Sequence, residues 1–347
     1  MKSNPEIVEA ERISMVARPR CIVCGNCGKY VYECLQDRLF GTPGRWSIRK
    51  CEDIDCGTHW LDPRPIDEEI AQIYTNYYTH DDNEGSTLRS RLKNVYGDAI
   101  TAFASRKYDG VTNDIGFLPR LLSYMLYLSP GRIADAKARA MLLPVRVGRR
   151  LLEVGFGSGE TLRRLSALGW VAEGVEVDPM VVDRARARGL NVKLGNLREL
   201  QYSDGTFDAI VSNHVIEHFS DPSGFLTECY RLLKRGGVVV AYTPNVESFG
   251  HRLFRGDWRG LEPPRHLYLF TSRSLRRLAK QAGFSVAQCE GSGRGSQSFY
   301  QSYLLRRGKG IQSCSLFGNE ALTWIAWGIS SIRKDYGEEL VLVGEKK

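Results

Sequence analysis

The apolar positions of this chain change period along its length. From residue 150 onward, short apolar runs at 150–154, 171–177, 191–193, 207–212 and 238–244 are separated by stretches where apolar residues recur every third or fourth position, as Leu162, Leu165 and Leu168 do with arginines between them. Short runs bounded by turn residues predict buried strands, and the wider repeat predicts helices with one apolar face. Their alternation predicts an α/β fold with a mostly parallel sheet. Two late runs, 284–289 and 338–343, predict further strands. Upstream, 66–78 alternates acids with apolar residues at helical spacing and ends in Tyr74, Tyr77 and Tyr78, a density that suits a substrate lid or core packing. Residues 79–90 predict a mobile loop, and 118–143 a helical lead-in in which 121–128 is apolar on nearly all sides.

The first strand–helix junction carries candidate chemistry. Glu153, Val154, Gly155, Phe156, Gly157, Ser158 and Gly159 form a turn with glycine at alternate positions. Glycine tolerates positive φ and lets a ligand reach the backbone, while the N–H groups of the next helix face whatever lies above the strand end. The second strand ends in Glu176, Val177 and Asp178, seventeen residues from Gly159 to Glu176, where a βαβ unit places a carboxylate against ribose hydroxyls. The nicotinamide pattern would place glycine or alanine at Glu160, so the Gly-x-Gly-x-Gly spacing points to a different nucleoside cofactor.

Glu153 to Gly159, then Gly174-Val175-Glu176, then Phe207 to His218, and finally Arg231-Leu232-Leu233-Lys234-Arg235-Gly236-Gly237 with the strand after it resemble, in order, a class I S-adenosylmethionine-dependent methyltransferase of the small-molecule branch. The resemblance covers roughly 146–347. It implies a Rossmann-like, mostly parallel seven-stranded sheet with an antiparallel edge hairpin. It also implies S-adenosylmethionine bound by Glu153, Gly155, Phe156, Gly157, Gly159, Glu176, Val177, Asn196, Leu197 and Asn213. The family usually has an acid at Asn196 for the adenine amine; an asparagine carbonyl accepts the same bond.

Past the fourth strand stand His214, Glu217 and His218, where open α/β sheets place their sites. Two histidines four apart can share one helix face. Methyl transfer to oxygen or an acidic carbon releases a proton, and a histidine suits that task. His218 is the expected base, with Glu217 orienting its ring or binding the acceptor and His214 contacting the cofactor. Related sugar and quinone enzymes carry a Glu-His pair here. The insertion at 245–271 holds His251, Arg252, Arg255, Trp258, Arg259, Arg265 and His266, a set suited to a phosphorylated or nucleotide-linked acceptor or to an ordinary surface loop.

Six of nine cysteines fall at 21–56. In a reducing compartment such a cluster favours metal over disulfides. Cys21 and Cys24, with Cys51 and Cys56, predict a ribbon holding structural Zn²⁺ in a tetrahedron of thiolates, with Cys27 and Cys34 as competing ligands. This resembles the small zinc-binding region preceding the catalytic domain of some sugar methyltransferases. The expected organisation is 1–62 tail and ribbon, 63–145 helical linker or lid, and 146–347 methyltransferase domain.

Composition refines the picture modestly. The 347 residues carry a formal charge of +8, much of it spread over helix faces. That argues for solvated surfaces rather than a nucleic-acid stripe. The start of the chain is too charged for a signal peptide and no run reaches membrane-span length, so a cytoplasmic protein is expected. The short apolar segment 322–329 could touch a membrane surface or cover the acceptor. The sequence reading is a methyltransferase acting on oxygen of a sugar, glycan precursor or secondary metabolite. Its rivals are C-methylation of a nucleotide-linked sugar, an RNA or protein methyltransferase, and a non-catalytic S-adenosylmethionine-binding module.

Overall fold

In the computed structural model, the residues described are 13–74, 102, 117–125, 140–143, 147–292, 296–309, 328–329 and 333–347. Tyr77, Tyr78, the loop expected at 79–90 and most of 322–329 lie outside them.

Near the start of the chain, β1 (Met15–Val16) pairs antiparallel with β5 (Arg64–Pro65) in a short ladder of its own. Between them lies the ribbon: β2 (Gly28–Leu35), β3 (Trp46–Cys51) and β4 (His59–Leu61). Seven strands form the central sheet: β6 (Arg150–Val154), β7 (Val171–Glu176), β8 (Val192–Leu194), β9 (Phe207–Asn213), β10 (Leu233–Pro244), β12 (Ser285–Ser292) and β13 (Glu339–Glu345). Their order is β12-β13-β10-β9-β6-β7-β8. The pairs from β10 to β8 are parallel, and β13 joins β10 and β12 antiparallel, giving the expected edge hairpin. Alternation along each strand divides the core in two, because successive side chains point to opposite faces. Leu151, Ala209, Val211, Val240 and Tyr242 join Leu162, Leu165, Leu168, Val181 and Val182 on one face. Leu152, Val154, Ile210, Val239 and Ala241 join Phe225, Leu226, Leu275 and Leu278 on the other.

The helices begin where side chains satisfy their first N–H groups. Asp178 caps Pro179–Ala187, its carboxylate accepting from Met180 N at 2.9 Å with proline at the first helical position. Asp221 accepts from Gly224 N at 2.8 Å at the start of Pro222–Leu232. Thr271 and Ser274 cap Ser272–Gln281 reciprocally. Glu160–Ala167 takes no side-chain cap from Gly159, and of the N–H groups in its first turn that of Leu162 meets the buried Glu153 carboxylate, leaving those nearer Gly159. That is where a ligand can supply the missing acceptors.

The ribbon strands belong to a second sheet, with β11 (Tyr268–Leu269) as its fourth strand in the order β11-β4-β3-β2. Tyr268 pairs with Trp60 and Leu269 with His59, so the insertion expected to be a recognition loop completes the ribbon sheet. Cys21, Trp46, Ile48, Cys56, Trp60 and Leu61 belong to the same buried cluster as Phe254, Trp258 and Leu275. One apolar core therefore holds the ribbon to one face of the large sheet. In the lead-in, Phe117–Met125 is helical, with Leu121 and Tyr124 exposed and Ser123 buried. Among the described residues no helix is long and apolar enough to cross a membrane.

Candidate functional site

Gly155, Gly157 and Gly159 follow β6 at positive φ of 67°, 49° and 72°. They are not equivalent. A Cβ on Gly155 would meet Val215 Cγ2 at 2.6 Å and one on Gly159 would meet Leu190 Cδ1 at 2.5 Å, whereas nothing lies within 4 Å of one on Gly157. The outer two glycines allow close packing; the middle one faces open space. Gly157 N donates to Glu176 Oε2 at 3.4 Å and Val177 N to Oε1 at 2.8 Å. Burial raises the pKa of this carboxyl. A carboxylate beside an open glycine turn and an uncapped helix N-terminus fits the ribose and charged end of a nucleoside cofactor.

The other expected cofactor residues divide by burial. Phe156 is buried, its ring lying where a Cβ on Gly174 would meet it at 2.6 Å, so it can offer only backbone. Glu153 is buried in β6 with no hydrogen-bond partner for Oε2; desolvation holds its pKa well above the usual carboxylate range against the opposing charge of Arg164. Leu197 is buried and Val177 exposed. Asn196 Oδ1, expected to accept from adenine, accepts from Arg198 N at 3.2 Å within its own turn. Asn213 ends β9 beside the glycine turn, since Ser212 registers with Val154.

After β9 the chain does not form the helix face expected for the two histidines. His214 has φ of 56°, and Ile216–His218 is a single tight turn. The histidines accordingly have different surroundings. His214 Nδ1 lies 3.2 Å from Glu217 Oε1 and Nε2 lies 3.0 Å from Glu339 Oε1. Burial favours its neutral form, but the two carboxylates outweigh that and push its pKa up to about 10. Glu217 is buried; desolvation would raise its pKa, yet the His214 contact brings it down to about 2. Thr243 Oγ1 donates to Glu217 Oε2 at 2.9 Å. Glu217 is thus paired with His214 and Thr243, not hydrogen-bonded to His218 as an orienting partner, and both ring nitrogens of His214 are occupied by carboxylates rather than turned to a cofactor.

His218 Nδ1 lies 3.0 Å from both the Arg265 carbonyl oxygen and Tyr74 Oη. A carbonyl only accepts, so this contact requires Nδ1–H and leaves the lone pair on Nε2. His266 packs against His218 with ring centroids 4.9 Å apart; burial lowers its pKa to about 4, and its Nδ1 is 2.7 Å from the Gly260 carbonyl. Tyr74, from the aromatic run, meets His218 edge-on with ring centroids 5.9 Å apart. The contributions of Arg265 and His266 to this site carry no spacing signal in the sequence.

The insertion's cations are largely committed elsewhere. Trp258 is buried and its indole donates to Glu338 at 2.9 Å. The Arg265 side chain has no exposure and forks onto Asp37, with Nη2 to Oδ1 at 2.8 Å and Nη1 to Oδ2 at 2.9 Å, while Nε donates to Glu262 at 3.1 Å. Arg259 pairs with Glu262. His251 Nε2 meets Tyr32 Oη at 2.8 Å beneath the ribbon. Of the set expected to bind phosphate, Arg265 and His251 join the insertion to the ribbon, Trp258 and Arg259 pair with Glu338 and Glu262, and Arg252 and Arg255 are exposed.

Two turns bring four cysteines together. Gly25 N returns to Cys21 O at 2.9 Å in the first, and in the second Asp53 O accepts from Cys56 N at 3.1 Å and Gly57 N at 2.9 Å, which absorbs the longer spacing. One sulfur from each of Cys21, Cys24, Cys51 and Cys56 lies within 4.8 Å of all the others, with Sγ–Sγ of 3.7 Å for Cys21–Cys56 and 3.3 Å for Cys24–Cys51. A Zn–S bond of about 2.3 Å gives a tetrahedral edge of about 3.8 Å, so the residues fit the ion. Cys27 and Cys34 are exposed and outside this group.

Residues 125–288 match the family described as Methyltransferase domain. A probable S-adenosylmethionine-dependent methyltransferase of Mycolicibacterium smegmatis is 34% identical over 141 residues, covering 40% of this chain and 53% of its own length. The ubiquinone biosynthesis O-methyltransferase of Cereibacter sphaeroides is 30% identical over 156 residues, covering 42% and 63%. The chain thus spans little more than half the length of these relatives. A solved SAM-dependent methyltransferase from Thermotoga maritima is 22% identical, with a TM-score of 0.42, covering 65% of this chain and 96% of that one. Residues 125–288 thus match a methyltransferase domain, and these relatives support a class I S-adenosylmethionine-dependent methyltransferase, a transferase.

Proposed function

We propose that this class I methyltransferase moves a methyl group from S-adenosylmethionine to a hydroxyl of a small-molecule acceptor, a sugar, glycan precursor or secondary metabolite, with His218 as the base. The observation that carries this reading is the tautomer of His218: with Nδ1–H given to the Arg265 carbonyl, Nε2 keeps a lone pair at the carboxyl edge of the sheet. That edge also carries the open turn at Gly157, and Val215 packs on Gly155 between the two. Bound at Gly157 and Glu176, S-adenosylmethionine would supply an electrophilic methyl on its sulfonium. His218 would take the acceptor's proton, and the charge of Glu217, one residue away and held ionised by His214, would favour the imidazolium that results. With Trp258 and Arg265 buried, the reading favours an acceptor chosen by shape and hydroxyl contacts over one chosen by phosphate.

We further assign the four-cysteine cluster to one structural Zn²⁺. Held by four thiolates it would have no open position for chemistry, and its role would be to fix the ribbon's two turns. The proposed division remains 1–62, 63–145 and 146–347, with 245–271 shared by the catalytic domain and the ribbon sheet. Incubating the protein with cell extract and methyl-labelled S-adenosylmethionine, then identifying the labelled product by mass spectrometry, tests the function. Label appearing only in RNA or protein, or in nothing, would overturn it.

A further inference from the structure

We propose that Asp37, a ribbon residue far from the glycine turn in sequence, is a positioning residue for His218: it clamps Arg265 so that the backbone carbonyl of Arg265 holds the imidazole in its Nδ1–H tautomer.

The geometry runs through one residue. The Arg265 side chain is fully buried and is gripped on both outer nitrogens by Asp37, whose own side chain has no exposure. A guanidinium accepts such a fork in one orientation, which makes the pair directional as well as charged. Thr42 Oγ1 lies 3.1 Å from Nη1, and the guanidinium carbon sits 4.1 Å from the centroid of the Phe40 ring, so the same ribbon loop surrounds the head group on several sides. Asp37 is itself fixed, accepting from Leu39 N and Phe40 N at 3.1 Å and from Thr42 N at 2.9 Å. Desolvation opposes its charge, but Arg265 outweighs that and holds its carboxyl below the ordinary range.

What makes this more than a structural ion pair is the other end of Arg265. Its carbonyl oxygen is the group 3.0 Å from His218 Nδ1. The surrounding turn is pinned on either side of residue 265. Glu262 O accepts from Arg265 N at 3.0 Å, and Leu267 N donates to Glu217 O at 2.9 Å while Leu267 O accepts from ribbon Leu61 N at 3.0 Å. These bonds hold the ends of the turn. The peptide that presents the carbonyl to His218 is held through its N–H, which His266 gives to Glu262 O at 3.2 Å, and the position of residue 265 itself is fixed by its side chain, which Glu262 and the ribbon's Asp37 hold. Tyr74 Oη, also 3.0 Å from Nδ1, can accept or donate and therefore suits either tautomer. The carbonyl alone discriminates. A neutral imidazole with the proton moved to Nε2 would turn its lone pair to the Arg265 carbonyl and could not act as a base from Nε2.

The rate consequence rests on the proposed role of His218; the tautomer does not, and the test separates them. In ¹⁵N-labelled full-length, zinc-loaded protein, long-range ¹⁵N–¹H imidazole spectra report which nitrogen of each of the six histidines carries the proton, and a His218→Gln sample identifies the His218 signals. Wild type is expected to show His218 as Nδ1–H. Asp37→Asn, with zinc content and cofactor affinity unchanged, is expected to show a mixed or Nε2–H pattern, and Asp37→Glu to restore the wild-type one. If Asp37→Asn does not fold, Arg265→Lys, which keeps a cation but loses the fork, is expected to give the same shift. An unchanged Nδ1–H signal in either folded variant overturns the inference. Once the acceptor is known, turnover in Asp37→Asn should fall about 10- to 100-fold with KM little changed, since a displacement of about 1 Å costs up to that much. A shifted tautomer with full turnover would leave the positioning intact and remove His218 as the base.

Discussion

Replacing Gly157 by valine separates the cofactor pocket from the fold that carries it. Nothing lies within 4 Å of the place a Cβ would take on this residue, so the protein without cofactor has no steric reason to resist the change. The remaining cost is the backbone, since φ of 49° is a left-handed conformation that disfavours a β-branched side chain by about 1–2 kcal/mol. The cofactor, by contrast, would lose the space its approach requires. Wild type at a cofactor concentration of 100 Kd should gain about 2.7 kcal/mol of stability by mass action, and a variant whose Kd rises about 100-fold should gain only about 0.4 kcal/mol at the same concentration. At about 2 °C per kcal/mol, that is a melting shift of about 5 °C reduced to about 1 °C. Gly174→Ala is the opposite control. Its Cβ would lie 2.6 Å from Phe156 and 3.1 Å from Leu162, so it should lower the melting temperature without cofactor while leaving the shift in place. Titration calorimetry and thermal melts of the three proteins measure both quantities. A folded Gly157→Val protein that binds S-adenosylmethionine with wild-type affinity would refute the assignment of the turn.

Protein purified without chelator should contain about one zinc per chain by elemental analysis, and Cys21→Ser/Cys24→Ser should lose it together with thermal stability. His218→Ala should lower turnover about 10²- to 10⁴-fold with cofactor affinity nearly intact, measured on the acceptor found by labelling; near wild-type turnover would mean that transfer runs by proximity and alignment alone. Glu338, buried beneath Trp258, has its pKa raised to about 7 by desolvation against the hydrogen bonds from Trp258, Gly250 and Ser248. The folded state therefore holds this proton more tightly than the unfolded chain. Its contribution is present below the ordinary carboxylate pKa and is lost as pH rises from about 4.5 through 7, by up to about 3 kcal/mol. Denaturant titrations of wild type and Glu338→Gln across that range should show the slope in the first and a flatter profile in the second.

Much of the large sheet was legible because each of its strands has a pattern that survives without its neighbours. Leu151 to Val154 and Phe207 to Ser212 are short, largely apolar runs buried on both faces, as parallel strands covered by helices must be. The glycines were legible as a turn, though only the packing of Val215 and Leu190 tells Gly157 apart from its neighbours. His214 was misread for a related reason. Four-residue spacing implies one helix face only if the intervening backbone is helical, and a residue at φ of 56° breaks that premise.

The insertion's place in the ribbon sheet was not legible because it lies in contacts with residues about two hundred positions away. Tyr268 and Leu269 are too short a strand to show a period, and become one only against His59 and Trp60. Arginines and a tryptophan in a loop read as ligand-binding groups when their partners are unknown; with Asp37 and Glu338 in place they read as buried pairs. The energetics explain why such pairs persist here. Burying one charge without its partner costs about 3–5 kcal/mol, so Arg265 and Asp37 are tolerable only when ribbon and insertion are docked, and each element then enforces the other's position. A ribbon held in this way has little freedom to act as an independent module. The pairing of β2 with β3 runs from Gly28 opposite Cys51 to Leu35 opposite Trp46, so one short ladder separates the cysteine turns from the loop whose Asp37 holds Arg265, the residue whose carbonyl faces His218.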